Sequence, residues 1–200
     1  MAERFFPLEA GSAAWNSSVS QAWEVTQTET ASGRRRAICS QLYPKLSFNV
    51  SFTALDDKNL SLLIGFYAKC KGTLLPFFYK DYGARVELQE LSRDESGKYQ
   101  LFIKNGGYVL PCEKADNVSV YVDDKETADF TLDGDILTVP TATLKSVVKA
   151  SFDYYWRVRF LDTLSVTQNF ENVNNVNLKL VTVRSVSYTH LRAHETKANL

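Results

Sequence analysis

Histidine, cysteine and long apolar runs are all scarce in this chain. The first 185 residues contain no histidine, which removes the side chain most often used as a general base. The three cysteines, Cys39, Cys70 and Cys112, are widely spaced and form no CxxC pair, so neither a zinc site nor a disulfide framework is expected. No run of about 18 apolar residues occurs, and we therefore expect no membrane-spanning helix and no membrane partner.

A net charge is also absent, because 23 basic residues balance 23 acidic ones. This balance argues against a protein that binds nucleic acid or anionic membranes through bulk charge. The chain is nevertheless 44% hydrophobic and 12% aromatic, a composition that supports a packed core and excludes global disorder. Its 200 residues correspond to one domain or at most two.

Motifs that carry catalysis or phosphate binding are missing as well. There is no GxxxxGK[ST] or GxGxxG phosphate loop and no GxSxG nucleophile motif. The acidic pairs Asp123-Asp124 and Asp133/Asp135 lie at predicted turns, where local backbone hydrogen bonding favours aspartate. We interpret them as turn residues rather than as a hydrolytic pair or a calcium site. The sequence therefore predicts no catalytic residue, no metal site and no cofactor.

The C-terminal end has an unusual origin. Back-translation of residues 186–196 gives a DNA sequence that resembles a transposase-based sequencing adapter. We interpret residues 186–200 as an artefact and exclude them from inferences about fold and function. The two histidines of the chain, His190 and His194, are excluded with them, although a spacing of four on a helix would otherwise suggest a metal site.

Alternation of apolar and polar residues dominates the remaining sequence. It is clearest in residues 46–53 and in the longer run from Val148 to Phe160, and it is typical of strands with one buried face. The turn signals Asn105-Gly106-Gly107 and Asp133-Gly134 predict two hairpins, and Ser32-Gly33 predicts a further turn. Shorter strands are predicted at residues 23–26, 77–79, 86–91, 99–104, 118–122, 130–132, 136–139 and 178–182. The predicted fold class is mainly β.

One segment instead has helical periodicity. Leu60, Leu63, Ile64 and Tyr67 are spaced i, i+3, i+4 and i+7, so they share one face of a helix that we expect to be buried. Asp56 or Asp57 can cap its start, and Gly72 can end it. These signals predict a single principal helix at about residues 57–71.

Six short motifs follow one another in an order and spacing that resemble the distal tail proteins of siphophage-like tails, prophages and gene transfer agents. They are a Phe-Pro near the start, a Ser-Gly segment followed by arginine, a Pro-basic strand, a helix ending in a basic-Gly signal with an aromatic-Asp corner after it, a late FD-to-VRF strand, and a closing VxVR. In this chain they are Phe6-Pro7, Ser32-Gly33-Arg34-Arg35-Arg36, Pro44-Lys45-Leu46-Ser47-Phe48, Phe66 to Gly72 with Phe77-Phe78-Tyr79-Lys80-Asp81-Tyr82, Phe152 to Phe160, and Val181-Thr182-Val183-Arg184.

The resemblance implies an architecture and a role. The fold would be a tail-tube-like β-sandwich or barrel with one flanking helix, in a distal-tail-like domain of residues 1–185 whose middle section, residues 93–141, is a candidate separate β lobe. Copies would form a six-fold ring that joins the tail tube protein to the hub or baseplate protein, with DNA passing through the channel without specific binding. The protein would be located in the virion tail after assembly in the cytoplasm of the bacterial host.

Two sets of residues are candidates for the ring interface. One is Arg34, Arg35 and Arg36, which we interpret as a solvated strand end or a source of salt bridges between subunits rather than a DNA contact. The other is the Tyr155, Arg157 and Arg159 face of the long late strand. The aromatic residues around Trp156 also suggest an alternative function, a carbohydrate-binding baseplate module that attaches to the host surface. A tail-associated hydrolase is the third and least favoured hypothesis.

Overall fold

The computed structural model describes residues 3–9 and 17–184, so the predicted artefact at residues 186–200 lies outside the described residues. Within them the chain forms one α-helix, α1 (Asp57–Lys69), and sixteen strands. The strands are β1 (Ser18–Ala22), β2 (Val25–Glu29), β3 (Arg35–Cys39), β4 (Lys45–Leu55), β5 (Phe77–Tyr79), β6 (Arg85–Leu91), β7 (Tyr99–Gln100), β8 (Phe102–Asn105), β9 (Tyr108–Pro111), β10 (Lys114–Val122), β11 (Lys125–Thr127), β12 (Thr131–Asp133), β13 (Ile136–Thr138), β14 (Val148–Phe160), β15 (Ser165–Phe170) and β16 (Val173–Thr182). The predicted class, mainly β with one helix, is confirmed.

A nine-stranded antiparallel sheet organises the fold. Its strands follow the order β1-β4-β16-β14-β10-β11, with β15 also paired to β16, and β5 and β6 also paired to β14. Among the described strands the two ends of this path, β1 and β11, do not pair, so the sheet is not a closed barrel. The long strand β14 is its central element, because its first half pairs with β6 and β10 and its second half with β5 and β16.

Two hydrophobic clusters cover different halves of β14. The first lies between α1, β4, β5 and β16 and includes Phe48, Phe77 and Phe160. The second is supplied mostly by residues 93–141, together with β6 and the first half of β14. Trp156 packs against both clusters, so the late aromatic strand joins them.

The helix begins and ends as its capping residues dictate. The Asn59 amide donates to Asp56 Oδ1 at 3.1 Å, the expected N-cap contact. Lys71 and Gly72 both have positive φ, 53° and 64°, which ends α1 two residues before the predicted limit.

The buried face of α1 agrees with the prediction only in part, because Leu60 and Tyr67 are half-buried against the first cluster. Leu63 is fully buried, but Ile64 is 47% exposed. The helix is rotated so that Phe66 faces the core, where its ring lies 5.0 Å from that of Phe77 and 6.0 Å from that of Phe6. Aromatic packing at Phe66 therefore replaces the expected contact of Ile64.

Further differences concern strands. The predicted strand at residues 99–104 is divided into β7 and β8, which belong to different sheets, and the buried Leu101 lies between them. The strands β1, β3, β11 and β15 were not predicted. Nearly all of their residues are exposed, so they lack the alternation of apolar and polar residues that reveals a half-buried strand.

Candidate assembly surfaces

The hairpin formed by β2 and β3 is separate from both hydrophobic clusters. It is a two-stranded sheet of its own, with a register that runs from Val25↔Cys39 to Glu29↔Arg35. All ten of its strand residues are exposed, including Ile38, which is 60% exposed. We call residues 25–39 the arm. Within the described residues the arm contributes nothing to either cluster.

The turn at the tip of the arm is closed by its own hydrogen bonds. The Gly33 amide donates to the Thr30 carbonyl at 2.8 Å, and the Thr30 amide donates to the Arg34 carbonyl at 2.9 Å. Gly33 has φ of 78°, a conformation that favours glycine. The SG pair of the sequence thus marks the turn, as predicted.

The base of the arm is fixed to the rest of the molecule. The rings of Trp23 and Tyr108 meet edge to face at 6.3 Å, and the Tyr108 hydroxyl donates to the Leu42 carbonyl at 3.0 Å. The Glu24 amide donates to Gln41 Oε1 at 3.0 Å. These contacts hold the base while the strands beyond it remain exposed.

The three consecutive arginines have different surroundings. Arg35 forms an ion pair with Glu29 directly opposite it, at 3.2 Å. Side chains alternate across a strand, so Arg36 points to the opposite face, where its cross-strand partner is Thr28. Within the described residues Arg34 and Arg36 have no acidic partner. Two of the three predicted interface arginines are therefore available for contacts outside the chain.

The second predicted set lies on β14 and is partly covered by the chain itself. The Tyr155 ring packs edge to face on Phe5 at 5.3 Å. Arg157 is half-buried and lines a small cavity with Glu113 and Arg184. Arg159 is exposed. The two predicted sets belong to different sheets, and Arg159 is the most accessible member of the second.

The small cavity beside Arg157 contains an acidic group in an unusual environment. Burial raises the pKa of Glu113, and the positive charges of Arg184 and Arg157 oppose this shift. The Arg184 guanidinium lies 4.3 Å from the centre of the Tyr43 ring, a cation–π contact. The closing VxVR motif is thereby linked to the segment that precedes β4.

Two of the six motifs that carried the family resemblance meet in one part of the structure. The Phe6 amide donates to the Phe78 carbonyl at 2.9 Å, which fixes the N-terminal segment beside β5. The Phe6 ring lies about 6 Å from the rings of four other aromatic residues: Phe52, Phe66, Phe77 and Tyr79. The Phe-Pro motif, the helix and the aromatic corner are therefore parts of one hydrophobic contact.

A buried carboxylate near this corner was not identified from the sequence as a functional or structural centre. Asp153 on β14 is 6% exposed. It accepts hydrogen bonds from Lys80 Nζ at 2.7 Å, from Asn117 Nδ2 at 2.8 Å and from Arg85 Nη1 at 3.1 Å. A β-bulge in β10, with Asn117 at φ of 48°, accompanies the Asn117 contact. Asp153 thus connects β14, β10 and the β5–β6 segment.

This network predicts a loss of stability in acid. Burial raises the pKa of Asp153, but the three hydrogen bonds outweigh burial and hold the pKa below its ordinary value. A carboxylate with a lowered pKa stabilises the fold above its unfolded pKa of about 3.9, and the contribution is lost as the pH falls through the lower folded value. We expect Asp153→Asn to lower the free energy of unfolding by about 2 kcal/mol at pH 7, and the difference from the unmodified protein to shrink below about pH 3. Urea unfolding between pH 2 and pH 7 measures both quantities.

A matched control for this prediction is Asp162→Asn. Asp162 pairs with Lys179 at 3.1 Å, but both side chains are more than half exposed. An exposed pair contributes about 0–1 kcal/mol, so this variant should change the free energy of unfolding far less. Equal effects of the two variants at pH 7 would contradict the proposed role of Asp153.

Comparison with known proteins gives a match among solved structures. No family model matches the sequence, and no curated protein matches it. Among solved structures the fold is similar to that of a chain from the virion of a native gene transfer agent particle, with a TM-score of 0.50 and 14% sequence identity. The match covers 92% of this chain and 99% of that chain. This similarity establishes a common fold that extends over nearly the whole of both chains.

The structure adds one finding about membranes. Among the described residues, no helix is long and apolar enough to cross a bilayer.

Proposed function

We propose that this chain is a structural protein of a phage-like tail, and not an enzyme. Its copies form a ring, six-fold by family resemblance, at the distal end of the tail. The ring links the tail tube protein to the hub and baseplate protein and surrounds the channel through which DNA passes. The protein is assembled in the cytoplasm of the bacterial host and remains in the virion tail.

The exposed arm is the observation that carries this proposal. An isolated two-stranded hairpin is marginally stable in water, because it buries little surface. Among the described strands, neither outer edge of the arm is paired, and unpaired edges favour association with another chain. A neighbouring copy that covers the arm would satisfy these edges. Head-to-tail contacts of this kind close into a ring when the rotation between subunits permits it.

Two further observations support the proposal. The fold is similar to that of a chain in a gene transfer agent virion over 92% of this sequence, which agrees with the order of the six motifs. The balanced charge of the chain, with 23 basic and 23 acidic residues, is suited to a channel that DNA traverses without being retained by bulk attraction.

The proposal is tested by assembly of the purified chain. We expect mass photometry and negative-stain microscopy to reveal closed rings as the concentration rises, or at lower concentration when the cognate tube or hub protein is added. A version ending at Ser185 serves as the control for residues 186–200 and should assemble equally well. The proposal is wrong if neither rings nor complexes with tube or hub protein form in any of these mixtures.

A further inference from the structure

A groove on the solvent side of α1 is distinct from the arm and from the β14 face. It has a volume of about 410 Å³ and lies between α1 and Pro7. Leu62, which is 50% exposed, contributes apolar surface to it. Lys58 and Lys69, also in its lining, are eleven positions apart, roughly 16 Å along the helix axis. The groove is therefore apolar in the middle and positively charged at both ends.

Packing among the described residues does not explain the glycine in this groove. Gly65 lies in the interior of α1, where glycine destabilises a helix by about 1 kcal/mol relative to alanine. A Cβ atom added at Gly65 would meet nothing within 4 Å, so internal packing does not require glycine. A larger residue would instead occupy part of the groove. Glycine at this position therefore leaves that part of the groove open.

The charge of the groove specifies the chemistry of that occupant. Residues 58–80 contain four lysines and no acidic residue. Within the described residues, neither Lys58 nor Lys69 forms an ion pair. An occupant that is apolar at its centre and acidic on either side would complement this surface.

The same chain presents such a surface on its other hydrophobic cluster. Residues 126–144 contain four acidic residues and no basic residue. In this segment the β12–β13 turn carries Asp133 and Asp135 beside Ile136, which is 38% exposed. Gly134 has φ of 65°, which permits the tight two-residue connection. The turn thus offers an apolar side chain beside two carboxylates. Asp133 is exposed, whereas Asp135 is half-buried and accepts a hydrogen bond from Gln100 Nε2 at 3.1 Å.

We propose that the β12–β13 turn of one copy occupies the α1 groove of the next copy. Ile136 packs on Leu62 over Gly65, and the carboxylates of Asp133 and Asp135 face the lysines at the ends of the groove. The groove belongs to the first hydrophobic cluster and the turn to the second, so the contact is head-to-tail and can close a ring. This contact rests on the proposed function, because it is one of the contacts that would hold the ring together. A stable interface buries about 1,200–2,000 Å², so a larger surface such as the arm is also required.

Disulfide trapping tests the contact directly. In a Cys39→Ser background, which removes the exposed thiol, Gly65→Cys is placed in one preparation and Ile136→Cys in a second. A disulfide requires Cα atoms about 4.4–6.8 Å apart, so oxidation of the mixture should give a covalent dimer with one chain of each kind. Val166→Cys is the matched control for Ile136→Cys, because Val166 is also β-branched and 38% exposed. Its yield of mixed dimer should be at least about tenfold lower.

Charge reversal gives a second, independent measurement. We expect Lys58→Glu with Lys69→Glu, or Asp133→Lys with Asp135→Lys, to weaken self-association about tenfold at low ionic strength. A chain with all four substitutions should regain self-association, because the two surfaces then attract each other with their charges exchanged. Lys104→Glu with Lys145→Glu, at two exposed positions outside the groove, is the control for altered net charge and should change association less than about twofold. Sedimentation velocity at about 50 mM and about 500 mM salt measures these effects, and screening should reduce them at the higher salt.

The outcomes separate this contact from the ring itself. The contact is overturned, even if rings form, by either of two results. One is a yield of mixed disulfide no higher than in the Val166→Cys control. The other is that the variant with all four charge substitutions does not regain self-association. Trapped dimers without closed rings in any mixture would support the contact and overturn the ring. If tube or hub protein protects Gly65→Cys from thiol reagents while a second copy does not, the occupant is that protein and the proposal is wrong.

Discussion

Removal of the arm is expected to abolish ring formation while leaving the folded subunit intact. Val25 and Cys39 are direct cross-strand partners, so an Asn-Gly turn can replace residues 26–38 and join them. The deleted residues are exposed and belong to neither hydrophobic cluster. The free energy of unfolding should therefore change by less than about 0.5 kcal/mol. Self-association should weaken by about a hundredfold or more, because contacts at the centre of an interface dominate its affinity.

Point variants in the arm provide the matched comparison. Arg34→Ala with Arg36→Ala removes the two guanidinium groups that have no ion pair in the described structure, whereas Arg35→Ala removes one that already pairs with Glu29. We expect the double variant to impair assembly more than the single variant. Mass photometry of rings and thermal unfolding of the same preparations measure the two effects. Rings of normal abundance without the arm would contradict its role in assembly.

The largest loss of stability is expected from Phe160→Ala. Phe160 is 1% exposed, and its ring lies 4.7 Å from that of Phe77 and 5.0 Å from that of Tyr67. Truncation leaves a cavity among these rings as well as losing the transfer free energy of the side chain. We expect the free energy of unfolding to fall by about 3–5 kcal/mol. Urea unfolding with an unchanged m-value would assign the effect to the native state.

Phe170→Ala is the control for that substitution. Phe170 is the same residue type at the end of β15, but it is 76% exposed. Its truncation should change stability by less than about 0.5 kcal/mol. Similar losses of stability in the two variants would contradict the conclusion that burial in the first hydrophobic cluster stabilises the fold.

Local patterns in the sequence were sufficient to determine the class of the fold. The alternation in β4 and β14 marked two strands whose inward faces are buried, because a period of two is a property of the strand itself. The start of α1 was predictable for a similar reason, since the capping contact of Asp56 spans three residues. The Gly33 and Gly134 turns were likewise marked by residues that accept a positive φ.

Partnerships between distant residues could not be read from these patterns. Asp153 is separated from Lys80 by 73 positions, and no local signal indicates that β14 passes beside the β5–β6 segment. The rotation of α1 that exposes Ile64 depends on aromatic contacts with Phe6 and Phe77. Periodicity gives the face of a helix within about one residue, but the side chains that meet it decide its final orientation.

The candidate surfaces were likewise predictable from the sequence only in part. The sequence by itself determined that Arg34, Arg35 and Arg36 follow a turn, but their alternation across β3 and the ion pair of Arg35 with Glu29 required the hairpin register. The groove on α1 also became visible only in the tertiary structure, because its lining combines α1 with Pro7, which is about 50 positions away in the sequence. Local propensities act over a few residues, whereas exposure is set by the packing of segments that are far apart in the chain.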